Sequence, residues 1–187
     1  DRMLDMGFFE DILKIMKHVS AKHQTLMYSA TMPPKIRDMA KKILNEPVEI
    51  SIAISKPAEN VLQAAYLVYD KDKPQLIAQL LKGKDLSSVL LFAATKIAVK
   101  LVAKTLKSLK LTVGEIHSDL DQKTREETLR LYKSRKFQVL VATDIVSRGI
   151  DIEGIDLIIN YDVPRDPEDY VHRIGRTARA KQSGVAI

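Results

Sequence analysis

The chain has 187 residues, 45% hydrophobic and 29% charged, the balance of a soluble globular protein with a core of its own. It has no cysteine, which excludes disulfides and thiolate zinc sites and suits a reducing compartment, so the expected location is cytoplasmic. No apolar run approaches the ~18 residues of a membrane span, and the opening "DRMLDMGFFED" lacks the regions of a signal peptide, so no membrane partner is expected. The net charge of +6 suits a polyanionic partner without identifying one. The four histidines (His18, His23, His117 and His172) are scattered, with no pair at a metal-ligand spacing.

The first fifty residues predict a helix in "FFEDILKIMKHV" (8–19), a strand in "QTLMYSAT" (24–31) and a helix in "PPKIRDMAKKIL" (33–44). The prolines of that last helix fall in its first turn, where they are tolerated. One strand and two helices are too little for an α/β core, so residues 1–50 read as the remnant of a first domain. The Pro-containing polar stretch that follows places a linker at 51–60, leaving 61–187 as a nearly complete second domain.

That second domain alternates short apolar strands with amphipathic helices. "QAAYLVY" (63–69) predicts a strand, and "KPQLIAQLLKG" (73–83) a helix closed by Gly83. "SSVLLFAA" (87–94) follows as a buried strand, then 95–110 as a helix with lysines on its outer face. A strand at 111–117 and a helix at 121–135 come next, with Asp121 as the helix cap. "FQVLVAT" (137–143) is a strand leading into a short helical piece, "DIVSRG". After a strand at 156–163, "EDYVHRIGRTARA" (168–180) reads as a helix, and "GVAI" begins one more strand. Such repetition predicts an α/β doubly wound parallel sheet covered on both faces.

In such sheets ligands bind beyond the carboxyl ends of the strands. Thr95, then His117, Ser118 and Asp119, then Thr143 and Asp144 fall at three such ends. "TDIVSRGID" adds Arg148, Gly149 and Asp151, so this rim is the expected binding site. "GIDIEG" (149–154) has the glycine spacing of a P-loop, but Ile155 and Asp156 stand where Lys and Ser/Thr are needed. No other stretch fits that motif.

On a helix, His172, Arg176 and Arg179 sit at i, i+4 and i+7 and share a face. They read either as a solvated basic face paired with Asp166, Glu168 and Asp169, or as guanidinium fingers for a phosphate. Spacing alone does not choose between these.

Several motifs resemble those of one family, in order. They are "SAT" (29–31), "LLFAATK" (90–96), "QKTR" (122–125), "VATDIVSRGID" (141–151) and "YVHRIGRTAR" (170–179). The pattern resembles DEAD-box ATP-dependent RNA helicases of superfamily 2, and "DRMLDMGF" resembles the stretch after their acidic box, with Asp1 as its last acid. The resemblance implies two RecA-like domains with ATP and RNA bound across the cleft between them. This chain would be the tail of the first domain and most of the second, and the P-loop would lie in the missing N-terminal RecA-like domain.

The resemblance also implies roles for particular residues. Arg176 and Arg179 match arginine fingers on the ATP γ-phosphate, and His172 matches the residue that meets the acidic box. Asp151, with Gly149 in the same motif, matches the nucleotide-ribose contact. Ser29 and Thr31 would join His172 in coupling the domains. Thr95, Lys96, His117, Ser118, Gln122, Arg125, Thr143 and Asp144 would line or support the RNA backbone path, with little sequence preference. Arg173 lies off the stripe and is expected in an internal ion pair, while Phe92 is expected in the core. Mg²⁺ would belong to the intact enzyme, beside Asp1, and the fragment alone would be inactive.

Three positions depart from the family pattern. Ser118 and Ala178 stand where glycine is common, and Ala94 where asparagine or another polar residue is common. Ser118 puts a close backbone approach to phosphate in doubt. Two other readings compete with the helicase. One is a non-catalytic nucleic-acid-binding α/β module. The other is self-association through the edges of the strand expected at 24–31.

Overall fold

The structure, a computed structural model, describes residues 7–29, 32, 34–51, 60–84, 86–144, 152, 154–164, 167–177 and 184–187. The chain divides into two compact units, Asp1–Ser55 and Lys56–Ile187.

In the first unit, Phe9–Met16 (α1) and Pro34–Ile43 (α2) are helical. Phe9 and Ile36 are buried, with Ile12, Leu13, Met27, Met39 and Ile43 packed against them. The strand expected at 24–31 is not there: residues 24–29 form no ladder, and 30–31 lie outside the described residues. Extended backbone becomes a strand only by pairing, and the described part of this unit supplies no partner strand.

The second unit is built on one six-stranded sheet. Its elements are Val61–Gln63 (β1), Lys73–Leu81 (α3), Val89–Phe92 (β2), Lys96–Ser108 (α4), Val113–Ile116 (β3) and Gln122–Lys133 (α5), followed by Val139–Ala142 (β4), Leu157–Asn160 (β5), Pro167–Ile174 (α6) and Gly184–Ala186 (β6). The strand order is β1-β6-β5-β2-β4-β3, and every pairing is parallel. The expected α/β doubly wound class is what the structure shows.

The strands read as unbroken apolar runs because both faces of the sheet are covered. Leu90, Phe92, Ile116, Leu140, Ala142 and Ile158 face one side, where Tyr132 of α5 and Ile174 of α6 complete a core. Val89, Leu91, Val113, Val139, Val141 and Ile159 face the other, against Ile77 and Leu81 of α3 and Val99, Val102, Ala103 and Leu106 of α4. Burial of each large aliphatic side chain contributes about 1.5–3 kcal/mol, so β2, with all four residues buried, anchors both layers.

Local signals set the helix ends. Thr95 Oγ1 accepts from the Ala98 amide at 3.1 Å and starts α4. Asp121 Oδ1 accepts from the Thr124 amide at 2.7 Å, so the expected cap of α5 is present. Gly83 follows α3 at φ +69°, the left-handed conformation that glycine adopts without strain.

Two expectations are corrected here. The strand expected at 63–69 is Val61–Gln63, paired with Gly184–Ala186 of β6. Beyond it, Tyr66, Leu67 and Tyr69 are exposed. The helix expected at 168–180 ends at Ile174. Gly175 closes on Val171 O at 2.9 Å, and Arg176 and Thr177 then bond three residues back in a tighter turn. His172 and Arg176 therefore do not share one α-helical stripe. Residues 178–180 lie outside the described residues, as do 145–149 of the short helical piece.

Candidate functional site

β2 lies between β4 and β5. The chain leaves β2 toward β3 on the β4 side and leaves β5 toward β6 on the other, so β2 and β5 flank the switch point at which such sheets form a crevice. Arg173 fills that crevice. It is 1% exposed. Its Nε and Nη2 donate to Asp144 Oδ1 at the end of β4, at 2.8 and 2.5 Å. Its Nη1 donates to Asn160 Oδ1 at 3.0 Å and to the Asp162 carbonyl at 2.9 Å, both at the end of β5. The guanidinium also lies 5.0 Å from the ring centroid of Phe92, the last residue of β2. The internal ion pair expected of Arg173 and the core position expected of Phe92 are both found.

Asp144 thus has a structural duty on this rim, holding α6 against the strand ends. Asp162 has another: its Oδ2 accepts from the Ala94 amide at 2.8 Å and its Oδ1 from Lys73 Nζ at 3.1 Å. Lys73 also pairs with Asp70 at 2.8 Å, and these carboxylates, Asp70 first, hold its pKa above the usual lysine value. Sequence reasoning missed Asn160 and Asp162. The signal was available in "IINYD", polar residues at a strand end like those already noted after β2, β3 and β4.

The remaining rim residues come from the ends of β2, β4 and β3, which are adjacent in the sheet. Lys96 opens α4 and pairs with Asp119 at 2.8 Å. Lys100, one turn later, pairs with the other oxygen of Asp119 at 2.9 Å. Lys96 foremost, then Lys100, draws the Asp119 pKa down to about 2. His117 is 3% exposed, and its Nδ1 lies 3.3 Å from the Asp119 amide, which donates to it. Ser118 is exposed and its carbonyl accepts from Arg125 Nη2 at 3.2 Å, while Gln122 donates to Glu126 at 2.7 Å.

Thr143 differs from its neighbours. It is 8% exposed, and its Oγ1 has no hydrogen-bond partner in the structure. His172 Nδ1 and Arg125 Nε are likewise buried without partners. An unsatisfied buried polar group costs about 1–3 kcal/mol, so such atoms at a rim suit an external ligand. Thr95, Lys96, His117, Ser118, Gln122, Arg125, Thr143 and Asp144 are therefore gathered on one rim. Ser29 is half-buried in the first unit. Asp1, Thr31, Arg148, Gly149, Asp151, Asp166, Ala178 and Arg179 lie outside the described residues.

Residues 72–181 match the helicase conserved C-terminal domain. The chain belongs to that family. Within it the similarity is to DEAD-box proteins. The DEAD-box ATP-dependent RNA helicase CshA of Geobacillus kaustophilus is 42% identical over 188 aligned residues, covering 100% of this chain and 40% of the relative. A DEAD box protein from Methanococcus jannaschii is 39% identical with a TM-score of 0.66, covering 99% of this chain and 50% of that one. Saccharomyces cerevisiae Dbp5, solved bound to RNA and ADP BeF3, is 28% identical with a TM-score of 0.82, covering 97% of this chain and 48% of that one. The chain spans well under two thirds of each of these proteins. The RecA-like second domain expected of the helicase resemblance agrees with this membership.

Among the described residues no group of three or more His, Cys, Asp or Glu is arranged to hold a metal. Among them, too, no helix is long and apolar enough to cross a membrane.

Proposed function

We propose that this chain is the C-terminal part of a cytoplasmic ATP-dependent RNA helicase that binds the RNA backbone and completes the ATP site to unwind short duplexes. The observation that carries this reading is the rim. In a helicase-family chain, the motif residues of three adjacent strand ends converge there, around a buried Thr143 hydroxyl that the chain leaves unsatisfied. Backbone-directed donors of this kind recognise phosphate and ribose and confer little sequence preference.

Residues 1–50 would be the end of a first RecA-like domain and 51–60 the linker. The whole protein would supply a P-loop for ATP, whose γ-phosphoryl transfer to water drives unwinding. Arg176 and Arg179 would lie against the phosphates, Asp151 and Gly149 against the ribose side, and His172 with Ser29 and Thr31 would couple the two domains. The buried, unpartnered His172 Nδ1 in α6 suits a partner from outside the domain, and Arg176 follows in the turn after that helix. Mg²⁺ would be held by acids of the whole protein, with Asp1 among them; the residues described supply no such set.

The test is ATPase activity of the whole protein with and without single-stranded RNA, alongside Arg176→Ala and Arg179→Ala. RNA-stimulated turnover that falls by ~10³ or more in either variant supports fingers on the phosphoryl group. RNA-independent turnover, or turnover unchanged in both variants, would return this chain to a nucleic-acid-binding module. The chain by itself should turn over no ATP.

A further inference from the structure

Lys96 is the first residue of α4 and Lys100 lies one turn on, with no acid in the first turn of that helix. A cation at a helix N-terminus works against the aligned peptide dipoles by about 0.3–1 kcal/mol. Two of them at that end make a strongly positive spot. The charge that answers them comes from another element, the turn after β3. Asp119 offers one carboxylate oxygen to each ammonium, at 2.8 and 2.9 Å.

The topology says what this contact covers. β4 lies between β2 and β3, so a bridge from the residues after β2 to the turn after β3 crosses the line of β4. Immediately after β4 stands Thr143, whose buried hydroxyl has no partner in the structure. A carboxylate held by two lysines has the charge and the oxygen geometry of a phosphate diester held by the same two lysines. Its pKa, drawn down to about 2 by those lysines, keeps it ionised throughout the neutral range.

We propose that Lys96 and Lys100 form a two-lysine site for one RNA backbone phosphate beside Thr143, and that Asp119 occupies this site in the RNA-free protein and is displaced when RNA enters. The inference rests on the RNA-binding reading above and deepens it. Lys100 becomes an RNA contact and Asp119 a built-in competitor that weakens RNA binding and favours release. The pairs are solvent-exposed, with side-chain exposures of 50% for Lys96, 52% for Lys100 and 39% for Asp119, so exchanging one anion for another requires no unfolding. Exposed pairs of this kind are worth about 0–1 kcal/mol, low enough for a phosphate to compete.

The experiment measures binding of a fluorescein-labelled oligo(U) strand to the whole protein across a series of KCl concentrations. It compares wild type with Asp119→Asn, Lys100→Gln and a control, Glu127→Gln, whose carboxylate pairs with Arg130 elsewhere on the domain. Each phosphate neutralised on a single strand steepens the log–log salt dependence by roughly 0.7. Asp119→Asn should tighten binding several-fold at low salt, Lys100→Gln should weaken it and flatten the slope by roughly 0.7, and Glu127→Gln should match wild type. Opposite signs in the first two variants are the signature, since a merely structural clamp would lose affinity in both. Wild-type binding that Asp119→Asn leaves unchanged or weakens would overturn the clamp alone. Absence of salt-dependent binding in all four proteins would overturn the RNA reading, and the clamp with it.

Discussion

Arg173 and Asp144 form a charged pair in which one partner is hidden and the other half in water: the guanidinium side chain is 1% exposed and the carboxylate 37%. The pair sits where the chain of a doubly wound sheet switches direction, a place such folds usually leave open for a ligand. Here the crevice is filled from within, by an arginine that ties α6 to the ends of β4 and β5. His172 and Arg176, its near neighbours in sequence, are thereby held at a fixed place on the rim while Arg173 itself is spent on packing.

The asymmetry of that pair sets an expectation for its mutants. Asp144→Asn keeps the shape but leaves a buried cation with neutral acceptors only, so it should destabilise the domain by about 3 kcal/mol, the low end for a broken buried pair. Arg130→Ala, which removes the exposed pair with Glu127, should cost under about 1 kcal/mol. Urea midpoints at constant m-value measure both. Equal small losses would show that Asn160 and the Asp162 carbonyl alone satisfy Arg173.

A second expectation concerns Gly184. A Cβ there would overlap the Thr177 side chain, which is pinned because its Oγ1 donates to the Ile155 carbonyl at 2.5 Å. Gly184→Ala should therefore cost about 1–3 kcal/mol, the usual penalty for forcing extra volume into a packed site. Thermal denaturation of the two proteins compares them directly, and an unchanged melting temperature would mean that β6 shifts to make room.

Much of this was legible in the residues. The strands announced themselves because a sheet covered on both faces needs continuous apolar runs, as in "VLLF" and "VLVA". Thr95 and Asp121 declared the helix starts through side chains that satisfy orphan amides. What periodicity could not see was pairing. Residues 24–29 have strand-like composition but no partner strand among the described residues, and of "QAAYLVY" only Gln63 lies in a ladder. The Arg-rich segment likewise looked like one long helix because arginine and alanine favour helix, while Gly175 ends it. The rim was readable strand by strand. The bond from Arg173 to Asp162, across the switch point, depends on strand order, which no local pattern contains.

Acid should remove part of the stability in a defined window. Asp119 is held at about 2 by Lys96 and Lys100, and Asp121 is held below the usual carboxylate range by the Thr124 amide and hydroxyl. Both folded-state values lie below the unfolded ones. Each group's contribution is thus fully present above about pH 5 and is lost as pH falls through its folded-state value, which for Asp119 is about 2. Asp121→Asn retains a capping oxygen but no charge, so its stability deficit relative to wild type should shrink on acidification and vanish once the Asp121 carboxyl is protonated. A deficit that stays constant with pH would assign the effect to cap geometry rather than to charge.

Thr143 separates stability from binding most cleanly. Its hydroxyl is buried with no partner, so the near-isosteric Thr143→Val removes an unsatisfied group while keeping the volume. The RNA-free domain should be as stable as wild type or more stable, by up to about 1 kcal/mol. If that hydroxyl meets an RNA phosphate, the same variant of the whole protein should bind oligo(U) about tenfold more weakly, the scale of one charge-assisted hydrogen bond. Melting temperature without RNA and affinity with it therefore move in opposite directions. A loss of both would mean that the hydroxyl is satisfied inside the fold, and an unchanged affinity would take Thr143 out of the RNA path.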